Sequence, residues 1–150
     1  MSINGTVKNG DLFIFYGLLK KGAVGMPETI DLESDGAFLG RCRFRGDLYS
    51  FGTFPGIVDG DTLCHGMLYR LDRRETADAL DTFEEVMAND PDGSLYQRVR
   101  TKVMDDHGEE TGQSAWIYMY NQSIDDAPLI ADGNWPLGGN SQTLIAETTG

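Results

Sequence analysis

At 150 residues the chain has the length of one domain, enough for a single sizeable core. Its 24 acidic against 12 basic residues leave a net charge of −12, which disfavours both nucleic-acid phosphates and anionic membrane surfaces as partners. No apolar run approaches the ~20 residues of a membrane span. The polar stretch from Met1 to Gly10 lacks the charged-then-apolar order of a signal peptide, so the expected location is cytoplasmic.

In chain order, an aromatic and β-branched run predicts a strand over about 12–17, stopping at Tyr16-Gly17 before Leu18, Leu19, Lys20, Lys21 and Gly22. Glycine at 17 lets the chain turn sharply and leave backbone N–H groups free for an anion. Strands follow over about 38–49 and 62–71, then a helix over about 73–84. Two more strands, about 95–104 and 113–120, are joined by a hairpin at Asp105-Asp106-His107-Gly108. Beyond them the chain is irregular and its last residues are expected to be mobile. Strands in succession with one clear helix predict an α+β fold with a mixed or mainly antiparallel sheet. No P-loop or Gly-rich dinucleotide fingerprint is present.

Cys42 and Cys64 lack metal-ligand spacing, sit in predicted strands and read as buried free thiols. A Cys64-His65 nucleophile pair is disfavoured because neighbours on a strand point to opposite faces. With only His65 and His107 available, a histidine zinc site is disfavoured too.

Asp72-Arg73-Arg74-Glu75 has the form of a capping box before the helix. Around that helix Glu84 lies about 40° from Leu80 and about 20° from Ala77, on the apolar side. Glu85 lies about 140° from Leu80, beside Asp81 on the wet side. A carboxylate facing the core must be paired or functional. Glu84 therefore either pairs with Arg98 or another arginine, or serves as a proton-transfer group whose pKa burial raises.

Several segments, in order over about residues 11–136, resemble the γ-glutamylcyclotransferase-like proteins. Tyr16-Gly17-Leu18-Leu19-Lys20-Lys21-Gly22 is similar to that family's Tyr-Gly-Ser/Thr-Leu-Arg/Lys-x-Gly loop. Gly46 to Gly56 resembles its strand and Gly-aromatic-Pro turn, and His65-Gly66-Met67-Leu68-Tyr69 its Gly-Glu-Leu-Tyr strand. Leu80-Asp81-Thr82-Phe83-Glu84 matches the segment ending in the family's glutamate, and Tyr96-Gln97-Arg98 its Tyr-x-Arg strand. Trp116 to Asn121 and Asp132-Gly133-Asn134-Trp135 fit the last strand and the closing Gly-Asp/Asn-Trp.

The resemblance implies a small mixed β-barrel with flanking helices in a single domain over 1–136, with 137–150 as a tail. It implies a γ-glutamyl cyclotransferase needing no metal or cofactor, with a small-molecule γ-glutamyl compound as partner. Glu84 would move the proton, and the N–H groups of Tyr16, Gly17, Leu18 and Leu19 would cradle the substrate's α-carboxylate. Phe54, Pro55 and Gly56 would form a wall. Tyr96 and Tyr120 would be either cavity hydroxyls or core aromatics, and Trp116 and Trp135 core or lid residues. The family's Ser or Thr after Tyr-Gly is Leu18 here, which removes one hydroxyl donor. A non-catalytic carboxylate-binding domain is the alternative. The link from Val86 to Ser94 is also longer than usual and would reshape the leaving-group side.

Overall fold

A computed structural model describes residues 6–17, 30–87 and 89–135. The elements are β1 (Asp11–Phe15), α1 (Leu32–Asp35), β2 (Gly36–Ser50), β3 (Pro55–Leu71), α2 (Thr76–Phe83), β4 (Tyr96–Met104) and β5 (Glu110–Tyr120). The strands sit around a ring in the order β1-β3-β2-β4-β5. Two long antiparallel hairpins, β2–β3 and β4–β5, make most of it, with registers from Gly36↔Leu71 to Ser50↔Pro55 and from Tyr96↔Tyr120 to Met104↔Glu110. The hairpins meet thinly. β2 and β4 share only the Arg43↔Met104 pair, and β3 and β5 only Ile57↔Met119, which is parallel.

β1 pairs antiparallel with β3 and touches β5 in parallel at Phe13↔Trp116. Covered on both faces, it carries a continuous apolar run in place of alternation. Phe13 and Phe15 point into one core, with Leu32 of α1 and Ala77 and Leu80 of α2. Ile14 points into the other, with strand residues Phe44, Leu48, Ile57 and Ile117. The first core is thus the layer between sheet and helices, and the second fills the ring.

Several boundaries differ from the sequence reading. α1 lies where a loop is expected, started by Asp31, whose carboxylate accepts from the Ser34 N–H at 3.2 Å. β3 begins at Pro55 instead of 62, because proline, lacking an N–H, is tolerated at a strand's first residue. The long hairpin is bulged between Phe38 and Gly40, where Gly40 takes φ +117° and Leu39 turns out to solvent. A second shift follows Gly46, and there Asp59–Asp61 leave the ladder.

The capping box does not form. Asp72 instead accepts a bidentate, charge-assisted pair from Arg70 at 2.7 and 3.0 Å. The helix starts later, at Thr76, whose hydroxyl donates to Asp35 at 2.7 Å. The predicted β4–β5 hairpin is present: Gly108 at φ +85° donates to the Asp105 carbonyl, and the Asp105 carboxylate accepts from His107 and Glu109.

Both cysteines are free and buried, and burial pushes each thiol up to about 12. Trp116 is a core residue with two guanidinium groups over its ring, Arg98 at 4.6 Å and Arg100 at 4.2 Å from the centroid. Trp135 is buried in the ring core. Among the described residues no helix is long and apolar enough to cross a membrane. The proposed tail, 137–150, lies outside the described residues.

Candidate active site

The site is a cavity of about 170 Å³ where the ends of β1, β3, α2, β4 and β5 converge. Its apolar wall includes Phe15, Phe54, Pro55, Phe83 and Leu95, and its polar residues are Glu84, Glu85, Tyr16, Tyr96 and Tyr118.

Glu84 is placed by the way α2 ends. It follows the last helical residue, and its N–H donates to the Leu80 carbonyl at 3.0 Å. Glu85 then takes φ +55°, its N–H reaching Thr82 at 3.1 Å, while the Val86 N–H reaches Asp81 at 2.8 Å. That bond pair is a Schellman stop, here built on a non-glycine left-handed residue. The Glu85 carbonyl also accepts from the Leu95 N–H at 3.0 Å, tying the helix end to the start of β4. The glutamate is therefore aimed by backbone geometry. Glu85 itself is exposed, as its position round the helix requires.

Glu84 keeps some surface open to the cavity, but protein surrounds its carboxyl. Burial, then the charges of Asp81 and Glu85, push its pKa up from 4.5 to about 8. The alternative pairing with Arg98 is not what forms. Arg98 donates both arms of its guanidinium to Asp81, at 2.9 and 3.0 Å, and Tyr118 donates its hydroxyl to the same carboxylate at 2.7 Å. This also corrects the reading of Asp81 as a wet-side residue: its side chain is only 18% exposed. A buried arginine on the neighbouring strand draws it inward.

The other hydroxyls are equally committed. Tyr16 donates to the Tyr118 carbonyl at 2.6 Å and accepts from the Ile57 N–H at 3.2 Å, while Tyr96 donates to the Pro55 carbonyl. Burial holds all three phenols above their ordinary pKa, so they stay neutral.

Of the sequence-derived site residues, Tyr16, Gly17, Phe54, Pro55, Glu84 and Tyr96 line this one cavity. Gly17 is needed for space and not for a left-handed turn: its φ is outside that region, and a β-carbon there would lie 2.6 Å from Pro55 Cγ. Gly17→Ala is expected to destabilise the fold by about 1–3 kcal/mol, as overpacking does, measured by urea unfolding.

Gly56 and Tyr120 stand behind the wall. A β-carbon on Gly56 would strike the Tyr120 ring, and Tyr120 stacks on Phe51 at 4.2 Å and meets Tyr96 edge-on at 5.5 Å. Leu18 and Leu19 lie outside the described residues. Tyr118 is a polar residue of the cavity lining that the sequence reading did not single out as a site residue. Its signal was present, since it shares a strand face with Tyr120 two residues on.

The family model described as "Gamma-glutamyl cyclotransferase, AIG2-like" matches residues 13–137. The Gamma-glutamylcyclotransferase family protein YtfP of Escherichia coli K12 is 34% identical over 88 residues, covering 59% of this chain and 66% of that protein, just under two thirds of its length. A Putative gamma-glutamylcyclotransferase of Vibrio cholerae is 29% identical over 132 residues, covering 83% of this chain and 94% of that one. The solution structure of E. coli ytfP aligns with a TM-score of 0.56 at 27% identity, covering 83% of this chain and 95% of that chain. The crystal structure of PH0828 from Pyrococcus horikoshii aligns at 0.59 and 17% identity, covering 93% and 97%, a likeness of fold. The matched model spans most of the chain, both hairpins and every described wall of the cavity, and the chain belongs to the gamma-glutamyl cyclotransferase, AIG2-like family.

Proposed function

We propose that the protein cleaves a γ-glutamyl amide by cyclisation, releasing 5-oxoproline and a free amine or amino acid. The observation that carries this reading is Glu84, a carboxyl on the cavity wall with a pKa near 8 and no salt bridge among the described residues. Its charged form takes a proton from the substrate's α-ammonium. The freed nitrogen attacks the γ-carbonyl carbon and closes a five-membered ring. Glu84 returns the proton to the leaving nitrogen as the old C–N bond breaks, and the second proton shed by the new ring nitrogen leaves with the released amine as its ammonium form. Holding both reacting atoms of one molecule together supplies much of the acceleration, with effective molarities on the order of 10⁵ M or more.

In this reading the backbone N–H groups of Gly17, Leu18 and Leu19 hold the α-carboxylate, and Leu18, having no hydroxyl, adds no side-chain donor. The reaction is assigned to the cytoplasm, in keeping with two free thiols. Incubation with a panel of γ-glutamyl amines and γ-glutamyl amino acids, assayed for 5-oxoproline, tests the proposal. At least one compound is turned over. If ligands raise the melting temperature but none yields 5-oxoproline, the non-catalytic reading suggested by Leu18 replaces it.

The pH profile gives a second check. In the free enzyme Glu84 must lose its proton to act as base, so kcat/KM should rise about tenfold per pH unit to a limb near 8. In the complex the ammonium beside the carboxylate favours its charge, so the limb in kcat should lie lower. A kcat/KM that is flat from pH 6 to 9 removes Glu84 from the role.

A further inference from the structure

The cavity has an inner end and a mouth. Tyr16, Tyr96 and Tyr118 are buried and form the inner end, whereas Phe54, Phe83, Leu95 and Glu85 line it while still reaching solvent. At about 170 Å³ it is smaller than the ~300–1,000 Å³ of sites that enclose a whole drug-sized ligand. A glutamyl group fills such a space, and whatever is joined to it through the amide must emerge at the mouth. That mouth is apolar apart from carboxylates, and no Lys, Arg or His stands among the described lining residues.

Three observations single out Glu85. It holds φ +55°, a left-handed conformation that is costly for a residue with a β-carbon and that glycine takes freely at a helix end. Its carboxylate has no ion-pair or hydrogen-bond partner among the described residues, so no local bond accounts for a glutamate there. Burial raises the pKa of both Glu84 and Tyr96, and the charge of Glu85 adds to the rise in each, which puts that charge on the cavity side of the turn. Whatever passes the mouth passes this charge. We propose that Glu85 sets the charge preference for the leaving group: an amine carrying a second cation is favoured, and one carrying a carboxylate, as a γ-glutamyl amino acid does, is disfavoured. Phe54, Phe83 and Leu95 cover the hydrocarbon between the amide and that cation, as apolar surface covers a lysine stem. The inference rests on the cyclotransferase reading for the identity of the group at the mouth. It leaves the proton transfer to Glu84 and makes Glu85 a residue of specificity.

The probes are the γ-glutamyl amides of diaminobutane, pentylamine and aminopentanoic acid, matched in length and ending in an ammonium, a methyl group and a carboxylate. The readout is the ratio of kcat/KM for the ammonium compound to that for the carboxylate compound. It is taken within one protein, so a general change in activity from altering a charge beside Glu84 cancels. An exposed charge pair is worth on the order of threefold, and attraction of one end with repulsion of the other doubles the exponent. Wild type is therefore expected to favour the ammonium compound by about tenfold or more at low salt, and by less at ~0.5 M salt, where exposed charges are screened. Glu85→Gln should reduce the ratio by about tenfold, with the methyl compound between the two, and Glu85→Lys should invert it. Glu85→Gly, unstrained at that backbone, should fold at least as well as wild type and show the same reduction, which separates lost preference from lost fold. An unchanged ratio in Glu85→Gln, with 5-oxoproline still formed, overturns the inference and leaves the cyclotransferase standing. If neither these compounds nor the wider panel yields 5-oxoproline, the cyclotransferase reading falls, and the rise in melting temperature with each compound decides Glu85 separately. A ranking that Glu85→Gln abolishes upholds its role at the mouth, and one that it leaves intact removes it.

Discussion

Glu84→Gln is expected to lower 5-oxoproline release by about 10³-fold or more, the scale of a positioned acid–base group, while the fold is retained. Glutamine is close in shape but neither takes up nor returns a proton at neutral pH. The same substitution has an opposite effect on stability, and its sign follows from linkage. The folded-state pKa of Glu84, about 8, lies above the ordinary 4.5, so between those values the native state binds a proton that the unfolded chain has released. Stability from this group is therefore whole below pH 4.5 and is lost as pH rises toward 8. Glutamine removes that dependence. Urea titrations at pH 5 and pH 9 should show the variant's advantage over wild type growing with pH, by a few kcal/mol at most. A variant that is inactive because it is unfolded at pH 9 would contradict both halves of the prediction.

Arg98→Ala should be among the most damaging single substitutions for stability. Arg98 is buried, its side chain only 7% exposed, where it pairs with Asp81 and lies over the Trp116 ring. Removing it leaves the Asp81 carboxylate with the Tyr118 hydroxyl and no cation, a loss of about 3–5 kcal/mol for a broken buried pair. For a domain of this size that corresponds to a melting-temperature fall of about 10 °C. Adding Asp81→Asn in the same chain should restore part of the loss, because the stranded charge is then gone. The pH profile of 5-oxoproline release should report the change as well. With Asp81 uncompensated, its negative charge acts more strongly on Glu84, and the kcat/KM limb should move upward from its wild-type position. A cost below about 1 kcal/mol with an unmoved limb would mean the pair is solvated and not structural.

The sequence revealed Glu84 because helical periodicity alone puts it beside Ala77 and Leu80. It did not reveal Asp81. One helix shows only its own faces, and Asp81 is drawn inward by Arg98, a partner on β4 whose nearness depends on strand register. Nor could it reveal that Asp72 would serve Arg70 in preference to capping the helix, since both contacts are local and only geometry decides between them. The succession of strands and helix along the chain was legible from apolar runs and turn residues, and the β4–β5 hairpin from Asp105 to Gly108; the order β1-β3-β2-β4-β5 around the ring was not. The expected barrel is present as a ring of strands, but its closure hangs on single pairs such as Arg43↔Met104, too short to leave any pattern in sequence. Gly17, singled out for its backbone freedom, meets a different need in the fold: room for Pro55 and not a left-handed backbone.

Those thin closures bear on the order of events in time. Each long hairpin is a local structure of the kind that forms within microseconds, whereas bringing two of them together must wait for contacts distant in the chain. The cavity takes Pro55 from one hairpin and Tyr96 and Tyr118 from the other, with Glu84 between them. Neither hairpin alone carries a site. During refolding the sheet signal should thus return before catalysis, and the appearance of activity should clock the docking of the two halves.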